Sequence, residues 1–234
     1  MNVLAIGAHP DDIELGCAGA LARHAAAGHR VTMLVMTTGQ RGPGNVETRM
    51  EEQEVAARVI GAKLLWANYE DGEVPSGPEA VALIDDVIRS EHIDVLYTHS
   101  PNDTHQDHVA TATASMAAAR RLSRVLCYQG PSTTTFQPTL FIDVDETITA
   151  KLAALGAHAS QVQDCQMVDL EAVEAGGRFW GHRARMKYAE AFETPRFAWD
   201  IGEPISRELG EQERRDAVVT QLRQPARRLK VVSE

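Results

Sequence analysis

Short apolar runs alternate with helix-length amphipathic segments along most of the chain, and few architectures accept that order. Val3 to Ala8 is an apolar run that ends at a turn, and Glu14 to Ala27 is alanine- and leucine-rich and stopped by Gly28, which predicts strand, loop, helix. Arg30 to Met36 (RVTMLVM) reads as a second buried strand, Thr38 to Asn45 as a glycine-rich loop, and Thr48 to Ile60 as a helix closed by Gly61. Lys63 to Trp66, Pro78 to Glu91 and Ile93 to Thr98 repeat the sequence strand, helix, strand. Val109 to Leu122 predicts a further helix, Arg124 to Tyr128 and Leu140 to Val144 two more strands, and Asp145 to Ala157 a helix. Leu170 to Glu190 also reads as helical, with Gly176 and Gly177 expected to break it. This order predicts an α/β, Rossmann-like domain: a mostly parallel sheet with helices on both faces, joined by right-handed crossovers. In such sheets ligands bind beyond the carboxyl ends of the strands. A single catalytic domain is expected over 1–201. The charge-rich, aromatic-poor stretch 202–234 is expected to be a peripheral or partly disordered tail.

A net charge of −10 argues against the clustered basic surface that nucleic acid requires. Cys17, Cys127 and Cys165 are odd in number and form no C-x-x-C pair, which argues against a disulfide framework or a thiolate zinc site. No signal-like start and no run of eighteen apolar residues is present, so a cytoplasmic protein without a membrane anchor is expected.

The chemistry gathers in two clusters. AHPDDIELGCAG follows the first predicted strand, and THSPNDTHQDHVAT follows the fourth. Pro10 keeps His9 out of helical geometry, so His9, Asp11 and Asp12 fan out from a tight turn. Both clusters fall at carboxyl ends of strands in one sheet, where they can converge despite about a hundred intervening residues. Two histidines and an aspartate suffice for a catalytic zinc site, leaving one position for water. Surface histidines and helix-capping aspartates are the plainer alternative. Asp107, beside His108, is placed to hold the free ring nitrogen of that histidine, or is simply a solvated loop aspartate.

AHPDD after a first strand, paired with HQDH after a later one, resembles the LmbE-like (PIG-L) deacetylase family, which includes the GlcNAc-phosphatidylinositol de-N-acetylases. The resemblance covers about residues 1–165. It implies that His9, Asp12 and His108 bind Zn2+, that Asp11 is the general base, and that a protonated His105 polarises the reacting carbonyl. It also implies substrate-binding roles for Arg49, Asp71 and His158. Each has an alternative: an Arg49 ion pair with Glu51 or Glu52, a turn role for Asp71 before Gly72, and no active-site role for His158. The implied reaction is hydrolysis of an N-acyl, usually N-acetyl, amide on an amino sugar or amino-sugar conjugate. In size the chain is similar to the bacterial glucosaminyl-malate deacetylases, which makes a homo-oligomer possible.

Two rival readings stand beside this one. Two histidines and a carboxylate are also the ligands of non-haem iron oxygenases, though these use an all-β scaffold. A nucleotide-binding α/β module would need a glycine-rich turn where this chain has AHPDD, and carboxylates there repel phosphate.

Overall fold

In the computed structural model, which describes residues 1–164 and 168–199, the apolar runs pair into one sheet. Its strands are β1 (Asn2–Gly7), β2 (Arg30–Thr37), β3 (Lys63–Tyr69), β4 (Val95–His99), β5 (Arg124–Tyr128), β6 (Leu140–Asp143) and β7 (Ala189–Phe197), in the spatial order β3-β2-β1-β4-β5-β7-β6. β1 lies between β2 and β4 and pairs with both in parallel, from Asn2↔Arg30 to Gly7↔Val35 on one side and from Val3↔Val95 to Ala5↔Tyr97 on the other. β3 and β5 extend the parallel part, and β7 inserts antiparallel between β5 and β6. The expected α/β architecture with a mostly parallel sheet is the one found.

Because both faces are covered, the central strands are apolar throughout. Val3, Ala5, Val31, Met33 and Val35 pack with α1 (Asp12–Ala26), α2 (Val46–Ile60) and α5 (Ile148–Gly156). Leu4, Ile6, Leu34 and Met36 pack on the opposite face with α3 (Pro78–Ser90) and α4 (Gln106–Ala118). Each fully buried aliphatic side chain of this kind contributes about 1.5–3 kcal/mol, and truncating Leu4 or Leu34 to alanine costs about 2–5 kcal/mol. The chain winds from β1 outward to β3, then returns to place β4 on the other side of β1. The crevice beyond β1 and β4 is therefore the switch point at which such sheets bind ligands.

Helix α4 begins at Gln106, three residues earlier than expected, so His108 stands on a helix turn and not in a loop. The expected break at Gly176 and Gly177 does not occur. α6 (Leu170–Ala184) runs through both, capped by Asp169, whose side chain accepts from Glu171 N and Ala172 N. Each interior glycine costs a helix about 1 kcal/mol, which packing and the cap offset here. The helix ends at Arg185 in left-handed geometry (φ 62°), and the chain turns back so tightly that a Cβ on Gly181 would meet Lys187 O at 2.6 Å. The segment from Ala189, expected to be helical as far as Glu190, is strand β7. Its alanines and glutamates are poor strand formers, but pairing on both sides overrides that preference. Glu190 is buried in this strand and accepts from Gly19 N, Ala20 N and Lys151 Nζ at 3.0, 2.7 and 2.6 Å. Met1–Ala198 form one compact unit; the expected tail from 202 lies outside the described residues.

Candidate metal and catalytic site

Loop 8–11 leaves β1 and enters α1 through Asp11, whose φ of 93° is left-handed, a conformation costly for any residue with a side chain. Three bonds hold it. Asp11 N donates to Gln53 Oε1 (3.2 Å), Arg49 Nη2 donates to Pro10 O (3.1 Å), and His9 N donates to Asp12 Oδ2 (2.7 Å). Asp12 is the first residue of α1, where the helix dipole favours a carboxylate.

The second cluster is built around Asp103. His105 N donates to its Oδ1 (2.8 Å), Ser132 Oγ donates to the same oxygen (2.6 Å), and Thr133 Oγ1 donates to Oδ2 (3.0 Å). His105 caps α4, its Nδ1 accepting from Asp107 N at 3.2 Å. That bond leaves Nε2 as the protonated nitrogen, and burial lowers the pKa further, with His9 and His108 acting in the same direction. In this arrangement His105 presents Nε2 as an N–H donor.

Asp12 joins the clusters. Its Oδ2 lies 3.3 Å from His9 Nδ1 and its Oδ1 lies 3.4 Å from His108 Nε2. The outer nitrogens of both rings rest against carboxylates: His9 Nε2 is 3.2 Å from both Asp71 and Asp107, and His108 Nδ1 is 3.3 Å from Asp103. Carboxylates in these positions fix ring orientation and raise ligand basicity. Among the described residues three groups have donor atoms close enough to hold a metal: His9, His105 and His108; Asp12, His99 and His108; His9, Asp71 and Asp107. None of these groups holds all three expected ligands: His9 and His108 share the first, and Asp12 and His108 share the second. His99 competes poorly as a ligand, because its Nε2 accepts from Ala8 N at 3.0 Å.

Carboxylates dominate the electrostatics at this point. Burial disfavours charge on His9, yet the hydrogen-bonded carboxylates of Asp107, Asp12 and Asp71 overcome it and raise its pKa to about 12. Burial likewise opposes ionisation of Asp12, but His108, His99 and His9 hold it well below the usual carboxylate range. Asp11 moves the other way, pushed up to about 7 by burial and by the charge of Asp12, against the pull of His158 and Arg49. One carboxylate is kept ionised and its neighbour is brought near neutrality, as an acid–base pair of roles requires. The donor set, two imidazoles and a carboxylate with one more carboxyl group beside them, fits zinc.

A family model for GlcNAc-PI de-N-acetylase matches residues 4–119, the part that carries both clusters. The chain is also 40% identical over 168 residues to the uncharacterized deacetylase YaiS of Escherichia coli (strain K12), covering 68% of this chain and 91% of that protein. The chain belongs to the GlcNAc-PI de-N-acetylase (PIG-L) family. With family membership comes the expected enzyme class, hydrolysis of linear amide bonds. The diacetylchitobiose deacetylase of Thermococcus kodakarensis is 26% identical over 186 residues, 68% of this chain and 70% of that one. The conserved protein TT1542 of Thermus thermophilus superposes with a TM-score of 0.78 at 29% identity, over 88% of this chain and 98% of the other.

Within this PIG-L scaffold four of the expected residues have the following surroundings. Asp107 does not hold His108; its Oδ2 faces His9 and accepts from Gly72 N, because α4 turns it toward loop 70–77. Arg49 is buried and donates to Gly39 O (2.8 Å) and Pro10 O, so it ties two loops together and makes no ion pair with Glu52, which instead accepts from Ser160. Asp71 is spent on His9 and on Arg41 N. His158 is fully buried, with its Nε2 3.6 Å from Glu14 Oε1. His99, Asp103 and Gln53 were not singled out from sequence. The signal for the first two lay in their own cluster, His99 ending β4 and Asp103 in the loop after it; Gln53 gives none.

Proposed function

We propose that this chain is a zinc-dependent N-deacetylase that hydrolyses the acetyl amide of an amino sugar or amino-sugar conjugate, with His9, Asp12 and His108 as metal ligands. The observation that carries the reading is the buried Asp12 carboxylate lying 3.3 Å from His9 Nδ1 and 3.4 Å from His108 Nε2, each ring backed by a carboxylate on its far side. Zinc held there would lower the pKa of its water toward about 7 and draw charge from the acyl oxygen.

Asp11, half-buried and with its pKa near 7, takes the proton of the attacking water as it adds to the acyl carbon. His105 donates its Nε2–H to the oxygen on which charge develops. When the carbon–nitrogen bond breaks, Asp11 returns the proton to the amine, giving acetate and a primary amine. Asp103, Asp107 and Asp71 hold the two imidazoles in register for this. An amino-sugar substrate is supported by the relative named for diacetylchitobiose. The free, buried thiols of Cys17 and Cys127 accord with a reducing, cytoplasmic setting.

The test is metal analysis of the purified protein combined with a primary-amine assay on N-acetylglucosamine conjugates, with and without chelator. About one zinc per chain and chelator-sensitive amine release are expected. Hydrolysis of an ester or phosphate by zinc-loaded protein that leaves every N-acyl compound intact would overturn the deacetylase reading; stoichiometric iron would overturn the zinc assignment.

A further inference from the structure

The peptide unit between Pro10 and Asp11 is held at both of its polar ends by one helix. Its carbonyl, Pro10 O, accepts from Arg49 Nη2 at 3.1 Å, and its N–H, on Asp11, donates to Gln53 Oε1 at 3.2 Å. Arg49 and Gln53 stand one turn apart on the buried face of α2, which continues as Ala56, Ala57 and Ile60 in the apolar core. Gln53 is fully buried, and burying an amide is costly unless both of its polar atoms find partners. Both do. Oε1 takes the Asp11 N–H, and Nε2 donates at 2.6 Å to Oε1 of Glu14, itself fully buried in the first turn of α1. The Glu14 carboxylate permits one orientation of the amide. Turned over, Gln53 would set its oxygen against a carboxylate oxygen and its NH2 group against the Asp11 N–H.

An aspartate at an N-cap normally has extended backbone, and its carboxylate accepts from N–H groups of the first turn. Asp11 occupies the N-cap of α1 in left-handed geometry, φ 93° and ψ −24°, and makes no such bond. Its carboxylate is thereby left for other chemistry, at a conformational cost that persists only where the surroundings fix it. The φ of Asp11 is a rotation relative to the Pro10–Asp11 peptide plane. A grip on both ends of that plane therefore sets where the carboxylate points.

The geometry points to Gln53, oriented by Glu14, as a positioning residue that holds Asp11 in its left-handed turn for proton transfer. The proposal rests on the reading of Asp11 as general base. Gln53 bonds to Asp11 and Glu14 and to none of the proposed zinc ligands, so its loss should act on kcat with zinc content and KM unchanged. Gln53→Met keeps the length of the side chain and removes both bonds. The variant is expected to lose about 10²-fold in kcat, the scale set by a misplacement of about 1 Å. Hydrogen exchange followed by NMR on the zinc-loaded chain should show the Asp11 amide protected in the unsubstituted protein and exchanging faster in the variant. A second arm reverses the pair. Gln53→Glu alone sets two carboxylates together and should lower kcat similarly. Adding Glu14→Gln rebuilds both bonds, with the side chain at 14 now donating and that at 53 accepting, and should recover most of the lost kcat. An unprotected Asp11 amide in the unsubstituted protein, full kcat in folded Gln53→Met, or a folded double variant no faster than Gln53→Glu would overturn the proposal. Amine release from an N-acetylglucosamine conjugate with kcat indifferent to Gln53→Met overturns the positioning alone. Hydrolysis of an ester and of no N-acyl compound, with the same fall in kcat, upholds the positioning and overturns the deacetylase reading.

Discussion

Asp103 Oδ2 lies 3.3 Å from Nδ1 of His108, and Ser132 Oγ lies at the same distance from that nitrogen. Burial would raise the pKa of Asp103, but hydrogen bonds from Ser132, His105 N and Thr133, with the charge of His108, hold it below its ordinary value. An ionised carboxylate at this nitrogen keeps the proton on Nδ1 and leaves Nε2 free to face Asp12. Asp103→Asn is therefore expected to weaken zinc binding about 10- to 100-fold with the fold intact, read by competition against a chromogenic chelator. Unchanged affinity would mean that the contact does not orient the ligand.

Asp11 is adjacent to a proposed ligand but belongs to none of the groups of donor atoms close enough to hold a metal among the described residues, and its raised pKa suits proton transfer. Asp11→Asn is expected to keep about one zinc per chain and to lose about 10²- to 10⁴-fold in kcat. Loss of metal in that variant would move Asp11 into the coordination set.

How much of this was legible beforehand depends on whether a residue acts through local spacing or through the fold. AHPDD and HQDH announce chemistry because both follow apolar runs, and the parallel sheet brings their ends together. β7 was not legible, because Ala189, Glu190 and Ala191 carry helix-forming side chains and become strand only between β5 and β6. The carboxylate beside His108 was not legible for a similar reason. Adjacency in sequence suggested Asp107 for His108, but side chains one position apart on a helix face different ways, and only the return of loop 129–139 supports the Asp103 arrangement. Arg49 and His158 read as substrate contacts from their place in the pattern; one sequence does not display that both are buried.

Arg49 offers a separation between these two kinds of role. Its fork bonds Gly39 O and Pro10 O, so Arg49→Met leaves two buried carbonyls unpaired and should cost about 2–4 kcal/mol of stability. Because Pro10 precedes Asp11, kcat should fall while KM changes little. Arg49→Lys should rescue poorly, since one ammonium does not reproduce a planar fork across two acceptors. A raised KM with an unaltered melting temperature would instead restore the substrate-binding role.

Acid should weaken the protein through His24 as well as through the metal site. Burial, then the neighbouring His29 and the amino terminus, lower the pKa of His24 to about 4 from 6.5. Its Nε2 lies 2.9 Å from the buried Tyr97 hydroxyl and its Nδ1 lies 2.8 Å from His29 Nδ1, contacts that suit a neutral ring. The unfolded chain takes up the proton at about pH 6.5 and the folded chain only near 4, so between those values the unfolded state binds more protons. The stability that His24 contributes by remaining neutral is complete above pH 6.5 and is lost as pH falls toward 4, a loss of about 3 kcal/mol over the window. His24→Gln keeps a partner for Tyr97 but cannot titrate. Urea denaturation at intervals from about pH 7.5 to 4 should then show a shallower decline for the variant than for the unsubstituted protein, with the two profiles separating below about pH 6.5. Profiles that stay parallel across that range would show that His24 takes up its proton equally in the folded and unfolded states.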